Sequence, residues 1–357
     1  MNSEPEVSVV VPTYNERDNV AKLIQAIHEY LSEAGISYEV VVVDDNSPDG
    51  TAEVARSLSS RYSVRVVVRP GKLGLASAIL DGVRASRGRY VAVMDADLQH
   101  PPEALPRLVE KVRGGCDVVI GSRYVKGGAT PGWSFFRRLV SWGANTLARL
   151  LLPRVRGVRD AMSGYFVFRR EVVEGVELNP RGFKFLLELL VKGRFNRVCE
   201  YPIVFRPRVW GESKLGVGEV ANYVLHVLDL AHDSIRFAIV GGLGTLVNLA
   251  TVALTGYYLG IEHWISVLTA FEVSTIFNFS LHEVWTFKTA FRGVFLSRLL
   301  KFHSAVVVQF LSQMLFSNLL YYAYGVGRLV AQLVGIAIGF LLNYLLSKFL
   351  VWRGARQ

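Results

Sequence analysis

At 357 residues the chain exceeds one average domain, and its two cysteines, outside any CxxC or Cys/His spacing, exclude a zinc-bound or disulfide-stapled scaffold. Its 51% hydrophobic residues and mean hydropathy of +0.30 are high for a wholly soluble protein. A net charge of +10 on such a chain suits either anionic headgroups and phosphates or a positive-inside membrane bias, and argues against DNA or RNA as partner.

The N-terminus, "MNSEPEVSVVVPTYNE", has no basic n-region and no long apolar h-region, so the first domain is expected to stay on the cytoplasmic side. Near-continuous β-branched runs follow at 7–12, 39–45, 64–68, 90–95 and 116–122, as strands buried on both faces require. Amphipathic blocks such as "NVAKLIQAIHEYLSEA" and "PPEALPRLVEKVRGG" lie between them. Repeated βα units predict a mostly parallel, doubly wound sheet that binds ligands beyond its strand carboxyl ends. Those ends read "PTYNE", "DDNSPDG" and "DADLQH", the most polar patches of the region. Cys116 and Cys199 read as small buried hydrophobes that are not paired.

Residues 134–152, "SFFRRLVSWGANTLARLLL", place Phe135, Leu139, Trp142, Leu147 and Leu150 near one helical face among arginines. That pattern fits either a helix in the membrane interface or a core helix. A second amphipathic stretch, 217–233, leads into four apolar spans near 237–259, 264–287, 302–324 and 329–351. Residues 237–357 contain only 3 acidic and 8 basic residues. Arg236, Lys288, Arg292, Arg298, Lys301, Arg353 and Arg356 gather at one set of span ends, so both termini are expected to be cytoplasmic. Arg236/Lys301, Asn278/Asn343 and Phe287/Trp352 share one offset, which suggests a duplicated hairpin. Glu272, His282 and Glu283 inside or near the second span are either functional or paired within the bundle.

Asp95 and Asp97 form a D-x-D at a strand end. Hard divalent cations take carboxylate oxygens together with diphosphate oxygens. If extended geometry continued past the strand, Asp95, Asp97 and Gln99 would face one side. No dinucleotide or Walker fingerprint fills the first turns. Glu16 and Asp45 suit hydrogen bonds to ribose and base, with Asp44 as a loop anchor. "RPGKLGLASA" puts Lys72 between glycines, where backbone can approach a nucleotide closely.

Six ordered motifs, "VVPTYNE", "VVDDNSPDGT", "MDADLQHPPE", "GSRY", "SGYFVF" and "RVWGESKL", resemble the polyprenyl-phosphate mannosyl- and glucosyltransferases of glycosyltransferase family 2, and most of all the dolichyl-phosphate mannose synthases, over residues 7–216. The remainder is similar to the GtrA-like membrane domain that accompanies such enzymes. The resemblance implies an α/β GT-A domain (Rossmann-like, mostly parallel sheet) at 1–215, an amphipathic linker at 216–235 and an α-helical domain of four transmembrane helices at 236–357. It implies an integral protein of the cell or ER membrane that transfers mannose from GDP-mannose to dolichyl (polyprenyl) phosphate with Mg²⁺ or Mn²⁺. By motif match Pro12, Tyr14, Glu16 and Asp45 line the nucleoside site, with Lys72 nearby. Asp95, Asp97 and Gln99 hold the metal, and Arg123, Arg137, Arg208, Ser213 and Lys214 surround the phosphates. Ser163 and Glu188 are secondary candidates. Transfer of glucose from UDP-glucose, or a non-catalytic lipid-sugar flippase or scaffold, are the alternatives. A processive synthase is excluded because no Q-x-x-R-W motif is present.

Overall fold

A computed structural model of the chain describes residues 4–179, 184–207, 217–289 and 294–353. The chain forms two compact units that divide after Leu230.

The first unit is built on seven strands: β1 (Val7–Thr13), β2 (Tyr38–Asp44), β3 (Val64–Val68), β4 (Tyr90–Val93), β5 (Val118–Ser122), β6 (Phe166–Arg169) and β7 (Val198–Pro202). Their order is β3-β2-β1-β4-β6-β5-β7. The five runs expected from the sequence are all strands. Only β6 runs antiparallel, between β4 and β5, so the carboxyl ends of β1 to β5 share one edge. The central strands are fully buried, as their unbroken valines demand.

Helices α1 (Arg17–Glu33), α2 (Thr51–Ser57), α3 (Leu75–Ala85) and α4 (Leu105–Arg113) connect the first five strands. α1 buries Val20, Leu23, Ile24, Ile27 and Leu31, the i, i+3, i+4 stripe of an amphipathic helix. α3 lies so close to β1 that a Cβ on Gly82 would come within 2.3 Å of a Val10 methyl carbon. Beyond the sheet core lie α5 (Phe135–Leu151), α6 (Phe185–Lys192) and α7 (Val217–Leu230). α5 exposes Phe135, Phe136, Leu139, Trp142 and Leu150. Tyr223 of α7 donates its hydroxyl to the Ala144 carbonyl of α5 at 2.6 Å.

The reading of the cysteines as unpaired is corrected. Cys116 and Cys199 form a disulfide with Cα atoms 6.0 Å apart. β5 and β7 are parallel neighbours, and their register brings Cys199 beside the start of β5. The pair is 83 residues apart in the chain, so only the strand order brings it together. Closing a loop of that length is worth about 4.5 kcal/mol on a chain-entropy account. Cys116→Ser is therefore expected to lower the unfolding temperature of the non-reduced protein by several degrees, to the value reached by the wild type under reductant. Thiol titration of the native protein finding two free cysteines would rule the pairing out.

The second unit holds α8 (Asp233–Val252), α9 (His263–Leu281), α10 (Phe295–Tyr322) and α11 (Arg328–Leu346). Among the described residues three segments are long and apolar enough to cross a membrane: Asp233–Tyr258, Phe295–Tyr322 and Leu333–Val351. The expected second span coincides with α9 and the turn after it, and is not one of these three. The stretch expected to run continuously over 216–235 is instead α7, a break at 231–232 and the start of α8.

The duplication is visible in the packing. Phe237/Phe302, Phe279/Tyr344 and Phe287/Trp352, each pair at the same sequence offset, build one aromatic core. Gly244 packs directly against Asn278, and at the equivalent place Asn343 donates to Gln309 at 2.6 Å. Both hairpins end in a π-helical turn, His282–Thr286 and Ser347–Val351, again at that offset. Glu283 is fully buried, with Arg298 bonding both its oxygens at 2.7 and 2.8 Å and the Trp352 indole donating at 2.6 Å. Glu272 faces His303 of α10 at 3.4 Å. Both glutamates thus have partners within the bundle.

Candidate active site

Because the parallel strands end together, the loops after β1, β2, β3, β4 and β5 converge on one edge of the sheet. The first two loops are locked to each other. Asp44 accepts from Thr13 Oγ1 (2.9 Å), Ser47 N (2.7 Å) and Ser47 Oγ (2.6 Å), which makes it the loop anchor expected of it. Asn15 and Asn46 take left-handed backbone, which asparagine tolerates. Glu16 accepts from Asn19 Nδ2 at 2.8 Å and gives its backbone N–H to Thr51 Oγ1. Pro12 is a buried member of β1 opposite Val43.

Tyr14 and Lys72, from separate loops, meet with the ammonium 4.1 Å from the ring centroid. Asp45 is buried, and its oxygens take the Arg69 guanidinium and the Gly74 N–H. The structure therefore makes Asp45 the anchor of the 69–74 loop, where the sequence placed it against the nucleoside. Arg69, which pattern reading passes over, also pairs with Asp81 at 3.0 Å.

The D-x-D turn differs from the expected geometry. β4 ends at Val93, residues 96–97 turn, and Leu98 adopts φ +59. The alternation that would aim Asp95, Asp97 and Gln99 to one side stops with the strand. Gln99 is instead buried, donating its side-chain amide to the Arg206 carbonyl at 2.9 Å, while Arg206 N–H returns a bond to the Gln99 carbonyl at 2.9 Å. Asp97 accepts the Gln99 N–H at 3.2 Å.

A cavity of about 210 Å³ opens beside this turn, lined by Asp95, His100, Arg123, Ser163, Gly164 and Lys184 among others. Arg123 is clamped at the end of β5. Its Nε and Nη2 donate to Asp160 at 2.8 and 2.7 Å, and its backbone N–H bonds the same carboxylate at 2.9 Å. That uses one edge of the guanidinium and leaves the other edge's N–H donors on the opposite side. Trp133 joins two arginines: Arg137 stacks on its ring at 4.2 Å, and Arg123 lies 5.2 Å from its centroid. Asp160, Trp133, Phe205 and His100 were missed as site residues. The signal available was their position, each within a few residues of a motif already noted. His100 is held neutral, its pKa lowered to about 4 chiefly by burial.

Ser163 is a backbone clasp, donating to the Gly121 carbonyl at 2.7 Å and accepting from Tyr165 N. Glu188 pairs with Lys192 and accepts from Asn179 N, the structural reading of that residue. Arg208, Ser213 and Lys214 lie outside the described residues. Arg206, just before them, sits against the D-x-D turn through Gln99 and pairs with Glu103.

The donor set fits a cation that is only partly caged. Among the described residues no group of three or more His, Cys, Asp or Glu could hold a metal ion. Asp95 at the cavity, with the buried Asp97 two residues on, suits a hard divalent ion whose remaining oxygens come from a diphosphate.

Residues 8–176 match the glycosyl transferase family 2 model, and residues 236–352 match the GtrA/DPMS transmembrane domain. The dolichol-phosphate mannosyltransferase of Pyrococcus furiosus is 44% identical over 97% of this chain and 99% of its own length. That of Saccharomyces cerevisiae is 37% identical over 63% of this chain and 86% of its own. A mycobacterial protein of known crystal structure shares the fold, with a TM-score of 0.50 at 22% identity over 64% of this chain and 75% of its own.

Proposed function

The chain belongs to the dolichol-phosphate mannosyltransferases and couples a family 2 domain to a GtrA-like membrane domain, and we propose that it transfers mannose from GDP-mannose to a polyprenyl phosphate with inversion. The observation that carries the reading is that Asp95 and the clamped Arg123 line one cavity. A carboxylate there would serve the donor's metal-bound diphosphate, and the guanidinium the acceptor phosphate.

The acceptor needs little activation. A phosphate monoester has a second pKa of about 6, so it is mostly a dianion near neutral pH and attacks without a general base. Its oxygen forms the new bond to the anomeric carbon as the bond to the diphosphate breaks, and the nucleoside diphosphate leaves. The residues then have two tasks: to orient both phosphates in line and to balance their charge. Asp95 and Asp97 would hold Mg²⁺ or Mn²⁺, which when bound neutralises charge on the departing diphosphate. Gln99 supports that turn from behind. Arg123 and Arg137 take the attacking phosphate, guanidinium being suited to bidentate phosphate contact. By motif match Arg208, Ser213 and Lys214 join them. Tyr14, Glu16 and Lys72, with the loop that Asp45 anchors, lie where the nucleoside would bind. The exposed apolar residues of α5 flank Arg137 and suit a helix lying in the membrane surface, where a lipid phosphate arrives. The basic span ends Arg236, Lys288, Arg298, Lys301 and Arg353 support a cytoplasmic site for both termini and the catalytic unit.

The test is an assay of purified full-length protein with polyprenyl phosphate, divalent metal and labelled GDP-mannose, GDP-glucose or UDP-glucose. Transfer is expected from GDP-mannose, with a β anomeric linkage in the product by NMR. Transfer from UDP-glucose alone overturns the donor assignment, and an α linkage overturns inversion.

A further inference from the structure

The chemistry above makes no use of His100. Asp95 lies just past Met94, the residue after β4, whose N–H still reaches the Val10 carbonyl at 3.2 Å. The next N–H, that of Asp95, leaves the sheet and donates to His100 Nδ1 at 3.1 Å. The same nitrogen is 3.6 Å from Asp95 Oδ2. An acceptor at Nδ1 places the proton of the neutral ring on Nε2, so one tautomer serves this contact.

The ring is fixed on several sides. His100 is 2% exposed, Tyr165 stacks on it at 5.2 Å and Phe205 meets it edge-on at 5.3 Å. Gly164 closes the remaining approach: a Cβ there would lie 3.0 Å from Asp95 Oδ2 and 3.1 Å from His100 Cε1. Packing alone would be satisfied by phenylalanine. What histidine adds is an acceptor aimed at the backbone of the first aspartate. Without it that hydrogen bond is lost at the point where chain direction sets the carboxylate's aim.

We propose that His100 is a positioning residue, holding the Asp95 backbone so that its carboxylate meets the divalent cation of the transfer reaction. The proposal rests on the reading of Asp95 and Asp97 as cation ligands. Outer partners of metal ligands commonly contribute about 10–100-fold in metal affinity.

Two substitutions separate packing from positioning. His100→Phe keeps the aromatic contacts and removes the acceptor. His100→Asn restores an acceptor near the Nδ1 position and removes the ring. Mn²⁺ alone is titrated into the full-length protein in detergent and followed by its EPR signal, beside thermal unfolding and steady-state kinetics. His100→Phe is expected to weaken Mn²⁺ binding by about 10–100-fold. It should melt near the wild type, and lower kcat while the KM for polyprenyl phosphate holds. His100→Asn is expected to melt lower yet to regain most of the Mn²⁺ affinity. Wild-type Mn²⁺ affinity in His100→Phe, or equal loss in both variants, overturns the proposal and leaves His100 as packing. Asp95→Asn reports on the underlying reading. If the wild type does not bind Mn²⁺, or Asp95→Asn binds it unchanged, the cation reading falls and the proposal with it. If Asp95→Asn loses binding and His100→Phe does not, the proposal alone falls.

Discussion

Replacing Asp95 or Asp97 with alanine is expected to lower kcat for glycosyl transfer by at least about a hundredfold, the scale of losing one charge-stabilising group at a reacting centre. The reason is the division of labour in the cavity. The acceptor phosphate brings its own nucleophilic charge, so the barrier lies in bringing two anions together and letting the diphosphate depart. Each aspartate acts on the second part. The Asp95 side chain is one-third exposed at the cavity, so its loss removes little packing. In Asp95→Ala the unfolding temperature should therefore change by only a few degrees while turnover collapses. Initial rates with radiolabelled donor, beside a melting curve on the same preparation, check the split. An Asp97→Ala protein with full transferase activity would sink the reading of Asp97 as a ligand of the cation on the departing diphosphate.

The second large effect is on stability. Asp160→Ala is expected to cost about 3–5 kcal/mol, because it deprives a buried guanidinium of the carboxylate that clamps it. Asp160 is completely buried, and the Arg123 side chain that it binds is 9% exposed. No other carboxylate bonds that guanidinium among the described hydrogen bonds, and aromatic faces at 5.2 and 5.6 Å do not replace an anion. A second variant isolates the cause. Arg123→Met with Asp160→Leu removes both charges and should regain much of the lost stability while remaining inactive, because the phosphate contact is gone. Thermal and denaturant unfolding in detergent measure the first effect, and the transfer assay the second. If Asp160→Ala melts with the wild type, the clamp contributes nothing and Arg123 is held by other means.

Much of the catalytic unit was legible because burial imprints itself on short stretches of chain. Valine runs marked β1 to β5, and polar residues after them marked the edge where those strands end. Phe135 to Leu150 marked α5, and four of the five apolar side chains expected on one face, all but Leu147, are exposed as a surface helix requires. Repeated residues at one offset marked the two hairpins, and their aromatic partners do meet. β6 was not legible. Four residues are too few to show a period, and "FVFR" is buried by its neighbours rather than by its own pattern.

The candidate site divides along the same line. The residue types at the sheet edge, carboxylates after β4 and arginines in "GSRY" and on α5, were set by the local sequence. Their working relations were not. Alternation predicted that Gln99 would point with Asp95 and Asp97, but the chain turns at Leu98 and commits that amide to Arg206, 107 residues away. Asp160 meets Arg123 across 37 residues, and Cys116 meets Cys199 across 83. Periodicity records which face of one segment is buried. It carries no record of which distant segment will cover that face. The sequence alone therefore determined five of the seven strands, three of the four expected apolar spans and the chemistry available at each strand end. Strand order and the antiparallel insertion of β6 decided which of those groups touch, because contact between distant residues is settled only when the sheet closes around its core.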